Sequence, residues 1–167
     1  AWWLRRLAAA GGHEAVQDLV FASPHGVSVV RPALRAAAAW LALWDEGTRR
    51  EVIRCDPRLL VEGGDPSSLP RCARSGVLRG FAGMIARGEV SDARIDSRML
   101  ARFADKELAP DIRERWAEHG ADDVRPFLLL LVWLGSITDC AGLAAEILRD
   151  RGADPELRLY ALRAAEA

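Results

Sequence analysis

The side chains able to do chemistry are scattered along this sequence. His13, His25 and His119 stand far apart, with no HxxxH or HExxH spacing that would put two imidazoles on one helix face for a metal. Each reads as a surface residue in a loop or at a helix end. No GxSxG elbow presents a serine for acyl transfer. There is no GxxxxGK-S/T phosphate loop, and Lys106 is the single lysine. Gly63-Gly64-Asp65-Pro66 has the glycines of a phosphate-binding turn, but it runs into Pro and Ser rather than into a strand-loop-helix unit. It is read as a loop. No catalytic, cofactor-binding or metal-binding residue is assigned, and no cofactor is expected.

Carboxylates are plentiful: Asp92, Asp96, Asp105, Asp111, Asp122 and Asp123. Most fall where a helix would begin. There a side-chain oxygen caps free N–H groups and a negative charge meets the positive end of the helix dipole. Cys55, Cys72 and Cys140 are odd in number and form no CxxC pair. They read as buried, reduced thiols, which suits a cytoplasmic location. Of the six tryptophans, Trp40, Trp44, Trp116 and Trp133 have apolar neighbours at helical spacing, so core packing is expected. An aromatic groove for a ligand or a flipped base is the alternative.

Composition narrows the partners. Half of the residues are apolar and the formal net charge is −1, so nothing pulls the chain in bulk toward nucleic acid, which is not an expected partner. Ala1-Trp2-Trp3-Leu4 lacks the basic start and long apolar core of a signal peptide. Phe127 to Leu134 is apolar without a break, but a membrane-spanning helix needs about 20 such residues, so no membrane association is expected.

The elements that must position these side chains read as helices. Strand-type alternation is nearly absent. Residues 2–10 read as a helix end stopped by Gly11-Gly12. His13 to Ala22 reads as a helix with Val16, Leu19, Val20 and Phe21 inward, followed by a loop at Ser23-Pro24-His25-Gly26. Val30 to Trp44 is predicted as one helix with Leu34, Ala37, Ala38, Leu41 and Trp44 on a shared face, broken by Gly47. Thr48 to Cys55 and a turn after Asp56-Pro57 follow, then the loop at 63–70. Arg71 to Arg87 carries Val77, Leu78, Phe81, Ala82 and Ile85 inward, with Gly76, Gly80 and Gly83 suited to close helix packing. After a polar link come Ser97 to Ala104 and Pro110 to His119, with Met99, Leu100, Phe103, Ile112 and Trp116 as core candidates.

Three helices end the chain. The first, being hydrophobic all round, reads as a central helix covered on both sides. The second has Cys140, Leu143, Ala144, Ile147 and Leu148 in one stripe with Asp139 as N-cap. The third opens with Asp154-Pro155, and its buried stripe is Leu157, Tyr160, Ala161 and Ala164. Arg31, Arg79, Arg125 and Arg158 each follow Val or Leu, at spacings of 48, 46 and 33. Helical repeats have comparable periods. The expected fold is all-α: a right-handed α-solenoid-like stack of antiparallel helix pairs, HEAT-like and irregular, with about nine to eleven helices. The expected domain is a single helical-repeat domain over 1–167. Because the chain begins without Met and inside a helix pattern, it is read as a fragment of a larger multidomain protein.

Several phrases in order carry a resemblance: AWWLRRLAA at the start, VVRPALRAAAAWLALWDEGTRREVIRCDPRLLVEGGDPSSLP in the middle, DVRPFLLLLVWLG and DPELRLYALRAA at the end. Over nearly the whole chain this resembles the C-terminal helical region behind the ATPase module of bacterial NACHT-type, more broadly STAND-type, NTPases. The resemblance implies a non-catalytic sensor or scaffold that recognises a protein or other ligand and regulates an upstream NTPase module of the same chain, in bacterial signalling or antiviral defence. The nucleotide-binding motifs of that family have no match here, so no catalytic residue carries over. Two other readings are kept. One is a free-standing HEAT-like protein-binding adaptor. The other is a HEAT-like enzyme acting on nucleic acid, which requires a basic concave stripe and a carboxylate beside an aromatic pocket.

Overall fold

A helix whose apolar residues surround it needs neighbours on every side, and Val124–Leu134 has them. In the computed structural model, which describes Trp2, Arg6 and residues 12–90, 96–119 and 124–166, Val124 and every residue from Phe127 to Val132 are buried. The regular secondary structure of the described residues is helical apart from one two-residue strand pair. Its helices are α1 (His13–Val20), α2 (Arg35–Leu41), α3 (Glu46–Cys55), α4 (Leu59–Glu62), α5 (Arg71–Ala86), α6 (Ser97–Phe103), α7 (Ala109–Glu118), α8 (Val124–Leu134), α9 (Ala141–Arg149) and α10 (Pro155–Ala165). The helix end expected at 2–10, the link residues 91–95 with Asp92, and the pair Asp122-Asp123 lie outside the described residues, Trp2 and Arg6 apart. The chain divides into two compact units, Ala1–Val77 and Leu78–Ala167.

In the first unit, α2 packs on α3 and α4, and α3 packs on α4. The alanines of α2 make this close: Ala38, Ala39 and Ala42 are fully buried with Leu41. Two chain segments approach tightly here. A Cβ on Gly63 would come within 2.9 Å of the Ala39 methyl, and one on Gly64 within 3.0 Å of the Ala39 carbonyl oxygen. On α5, a Cβ added to Gly76 would meet Ile53 at 3.4 Å, an ordinary van der Waals contact, so the packing there does not require glycine.

The second unit is built on α8, which touches α6, α7, α9 and α10. Phe127 meets Phe81 of α5 edge-on, with ring centroids 5.0 Å apart. The inward residues expected on α5, Val77, Leu78, Phe81, Ala82 and Ile85, are all buried, as are Leu100, Phe103, Ile112 and Trp116. Asp154 caps α10 as its sequence indicates, accepting from the N–H groups of Glu156 at 2.8 Å and Leu157 at 3.3 Å.

Several expectations are corrected. Val30 to Trp44 is not one helix. Val29–Val30 pairs antiparallel with Phe21–Ala22, and a short 3-10 turn at Pro32–Leu34 precedes α2. The β-branched Val27, Val29 and Val30 favour extended backbone, and Pro32 has no N–H to continue a helix from before it. For the same reason α1 stops at Val20, and Leu19 lies on its open side, 47% exposed. Gly47 sits inside α3 rather than before it. Asp139 caps nothing; it lies in a 3-10 turn, and its carbonyl accepts from Arg113 at 3.3 Å. The four arginines used as repeat markers are not equivalent: Arg31 precedes a 3-10 turn, while Arg79 stands in the middle of α5.

Candidate functional site

The first unit holds a cleft of about 580 Å³, lined by His13, Glu14, Gln17, Asp18, Asp45, Gly47, Arg50 and Glu51. Two helix starts build it. α1 begins at His13, and α3 begins after Asp45, whose extended backbone leaves the carboxylate free to turn back onto the helix. Asp45 Oδ2 accepts from the Thr48 N–H at 2.7 Å, and Oδ1 lies 3.0 Å from His13 Nδ1. Gln17 Nε2 donates to Thr48 Oγ1 at 3.4 Å, across 31 residues of chain. These contacts tie the first turn of α1 to the first turn of α3.

Asp45 is buried, whereas the His13 side chain is 63% exposed. Burial pushes the Asp45 carboxyl up. The Thr48 N–H and hydroxyl, with His13, outweigh that and hold it below its usual range. At the other end of the cleft, Arg54 donates to Glu51 at 2.6 and 2.9 Å. That guanidinium holds the Glu51 carboxyl low against the effect of burial, with help from Ser28. Arg50 is engaged by Glu46 at 2.6 Å.

A His–Asp pair in a cleft invites a catalytic reading, and the remaining residues answer it. Nucleophilic catalysis needs a hydroxyl or thiol on the far nitrogen of the imidazole. No Ser, Thr, Cys or Lys lines the cleft. The Thr48 hydroxyl beside Asp45 is fully buried and bonded on the carboxylate side. Among the described residues no group of three or more His, Cys, Asp or Glu could hold a metal ion. The cleft has the parts of a polar recognition surface and of a helix-to-helix clasp.

Elsewhere the carboxylates named from sequence do what their positions suggest. Asp96 accepts from the Arg98 N–H at 2.9 Å and Asp105 from the Glu107 N–H at 2.9 Å, each at a helix start. Asp111 lies in the first turn of α7. Asp65, in the glycine loop, accepts from the Ser67 and Ser68 hydroxyls at 2.6 and 2.8 Å, so the loop closes on itself. His25 stands in a turn with a positive φ of 54°, and His119 follows α7 at its C-terminal end. The three histidines are not brought together.

The tryptophans split. Trp116 is buried, and Trp133 is half-buried beneath the Arg163 guanidinium, 5.2 Å from its ring centre. Trp40 and Trp44, expected in the core, are 42% and 45% exposed and stack on each other with centroids 6.2 Å apart. The buried stripe of α2 runs through its alanines and Leu41, which turns Trp40 outward. Cys72 is also exposed, contrary to expectation; Cys55 is half-buried and Cys140 buried. The His13–Asp45 pair escaped sequence reasoning because its partners are far apart in the chain. A hint existed: Asp45 three residues before Thr48 is an N-cap pattern, and a capping carboxylate has a second oxygen to offer.

No protein-family model, curated protein or solved structure matches this chain significantly. No helix among the described residues is long and apolar enough to cross a membrane.

Proposed function

We propose that this chain is a non-catalytic, HEAT-like helical module of a bacterial NACHT- or STAND-type NTPase, in which stacked antiparallel helix pairs recognise a partner and regulate an upstream ATPase. The observation that carries the non-catalytic part is how the acidic side chains are engaged. Asp45, Asp65, Asp96, Asp105 and Asp154 all cap helix starts, and Glu46, Glu51 and Glu62 are paired with arginines. That pattern stabilises helices and their junctions and engages these eight carboxylates in capping or ion pairs rather than in proton transfer. Support for the NTPase context is the ordered set of sequence phrases given above. In this reading the rigid packed helices move as bodies and pass a binding event to the ATPase.

Phosphate release tests both halves. The chain alone, given ATP and magnesium, is expected to release no phosphate above the buffer rate. The natural protein containing it is expected to hydrolyse ATP at a rate that changes when this helical region is removed. Turnover by the chain alone would overturn the non-catalytic reading. A rate indifferent to the deletion would overturn the regulatory one.

A further inference from the structure

In the second unit Arg125 lies over Trp116, its guanidinium carbon 4.9 Å from the ring centre. Two donors of this pair, Trp116 Nε1 and Arg125 Nε, are buried and have no hydrogen-bond partner. Trp116 itself is 6% exposed. A buried N–H without an acceptor is costly, and two in one contact are unusual. Among the described residues the charge is equally one-sided. Arg125 is the second residue of α8, an 11-residue helix, so a cation sits at the positive end of the helix dipole, where an anion is favoured. The nearby carboxylates of α7 do not compensate: Glu114 and Glu118 are both paired with Arg115. Among the described residues, donors, cation and helix dipole at this place all have the same sign, the combination that suits a negative charge.

We infer that Arg125, Trp116 and the first turn of α8 form a binding site for an oxyanion group, a phosphate or carboxylate carried by a ligand. Arg125, half-buried as a whole, meets the anion first and draws it toward the indole N–H. This inference is independent of the NTPase reading; it rests on the two orphaned donors and the placement of the charge.

The indole N–H resonance of Trp116 is the readout, in 15N-labelled chain titrated with inorganic phosphate at constant ionic strength and assigned by its loss in Trp116→Phe. The signal is expected to move downfield and saturate. In Arg125→Gln the movement should vanish. In Arg125→Lys, which keeps the charge but loses the Nε donor, the midpoint should rise by roughly tenfold. A signal that stays still, drifts without saturating, or moves equally in Arg125→Gln would overturn the site. So would a signal already downfield without phosphate that moves upfield in the double variant Asp122→Asn, Asp123→Asn, because the acceptor would then belong to the chain itself.

Discussion

The carboxylate of Asp45 holds two helices at once: one oxygen caps α3 through the Thr48 N–H at 2.7 Å, and the other meets the His13 imidazole at the start of α1, 3.0 Å away. Removing it should release both. Asp45→Ala is expected to cost about 1–2 kcal/mol, the range of a lost N-cap, measured by urea unfolding near neutral pH. Asp45→Asn should cost less, because its side-chain oxygen can still cap.

The same carboxylate makes stability depend on acidity. Its folded pKa lies below the usual carboxylate value, so the unfolded chain takes up the proton first. The contribution of Asp45 is therefore present above the unfolded value, about 3.9, and is lost as pH falls through the lower folded value. Unfolding curves of the wild type and Asp45→Asn should converge as pH drops below about 4. A gap that stays constant through the acid range would remove this role.

Secondary structure was legible where sequence period and burial agreed. Val77, Leu78, Phe81, Ala82 and Ile85 fall on one helical face, and that face is buried. Asp154-Pro155 states a helix start in two residues. What was illegible depended on contacts between distant residues. Val29–Val30 becomes a strand because Phe21–Ala22 is there to pair with it. Trp40 is apolar enough for a core, but the alanine face of α2 wins the tight place against α3 and α4, leaving the larger ring outside. The His13–Asp45 contact joins residues that no local spacing connects.

The glycines after α4 give a sharp test of close packing. Gly64 has a φ of +68°, and an added Cβ would meet the Ala39 carbonyl at 3.0 Å. Gly64→Ala combines backbone strain with that contact and should cost about 1–3 kcal/mol, lowering the melting temperature by about 2–4 °C per kcal/mol. Gly88 also has positive φ, at 69°, but no heavy atom within 4 Å of its added Cβ. Gly88→Ala should fall clearly short of that loss. Equal losses would mean that the Ala39 contact contributes nothing.

Helix α8 should carry much of the second unit's stability. Leu128 and Leu131 are fully buried, and truncating either to Ala is expected to cost about 2–5 kcal/mol. Leu159 and Leu162 on α10 are 47% and 49% exposed, so Leu→Ala there should stay within about 0.5 kcal/mol. Chemical denaturation of the four variants separates the two pairs.

The thiols should react in an order set by access. Cys72 is exposed. Cys140 is buried, donates to the Ala109 carbonyl at 3.6 Å, and is pushed up in pKa by burial. Cys55 is pushed up to about 11, by burial first and then by Glu51 and Asp56. With a thiol reagent at pH 8, Cys72 should react fast and the other two slowly, because the thiolate is the nucleophile. Urea should make all three fast. Three equal rates in the folded protein would contradict the packing around Cys55 and Cys140.

The reading frame immediately upstream of Ala1, with the mass of the native protein to confirm it, decides whether this helical module belongs to an NTPase. A GxxxxGK-S/T loop followed by an acidic strand is expected there, the nucleotide site that this helical module would regulate. A start codon within a few residues of Ala1 and a native mass near that of this chain would contradict it, and would put the free-standing adaptor in its place.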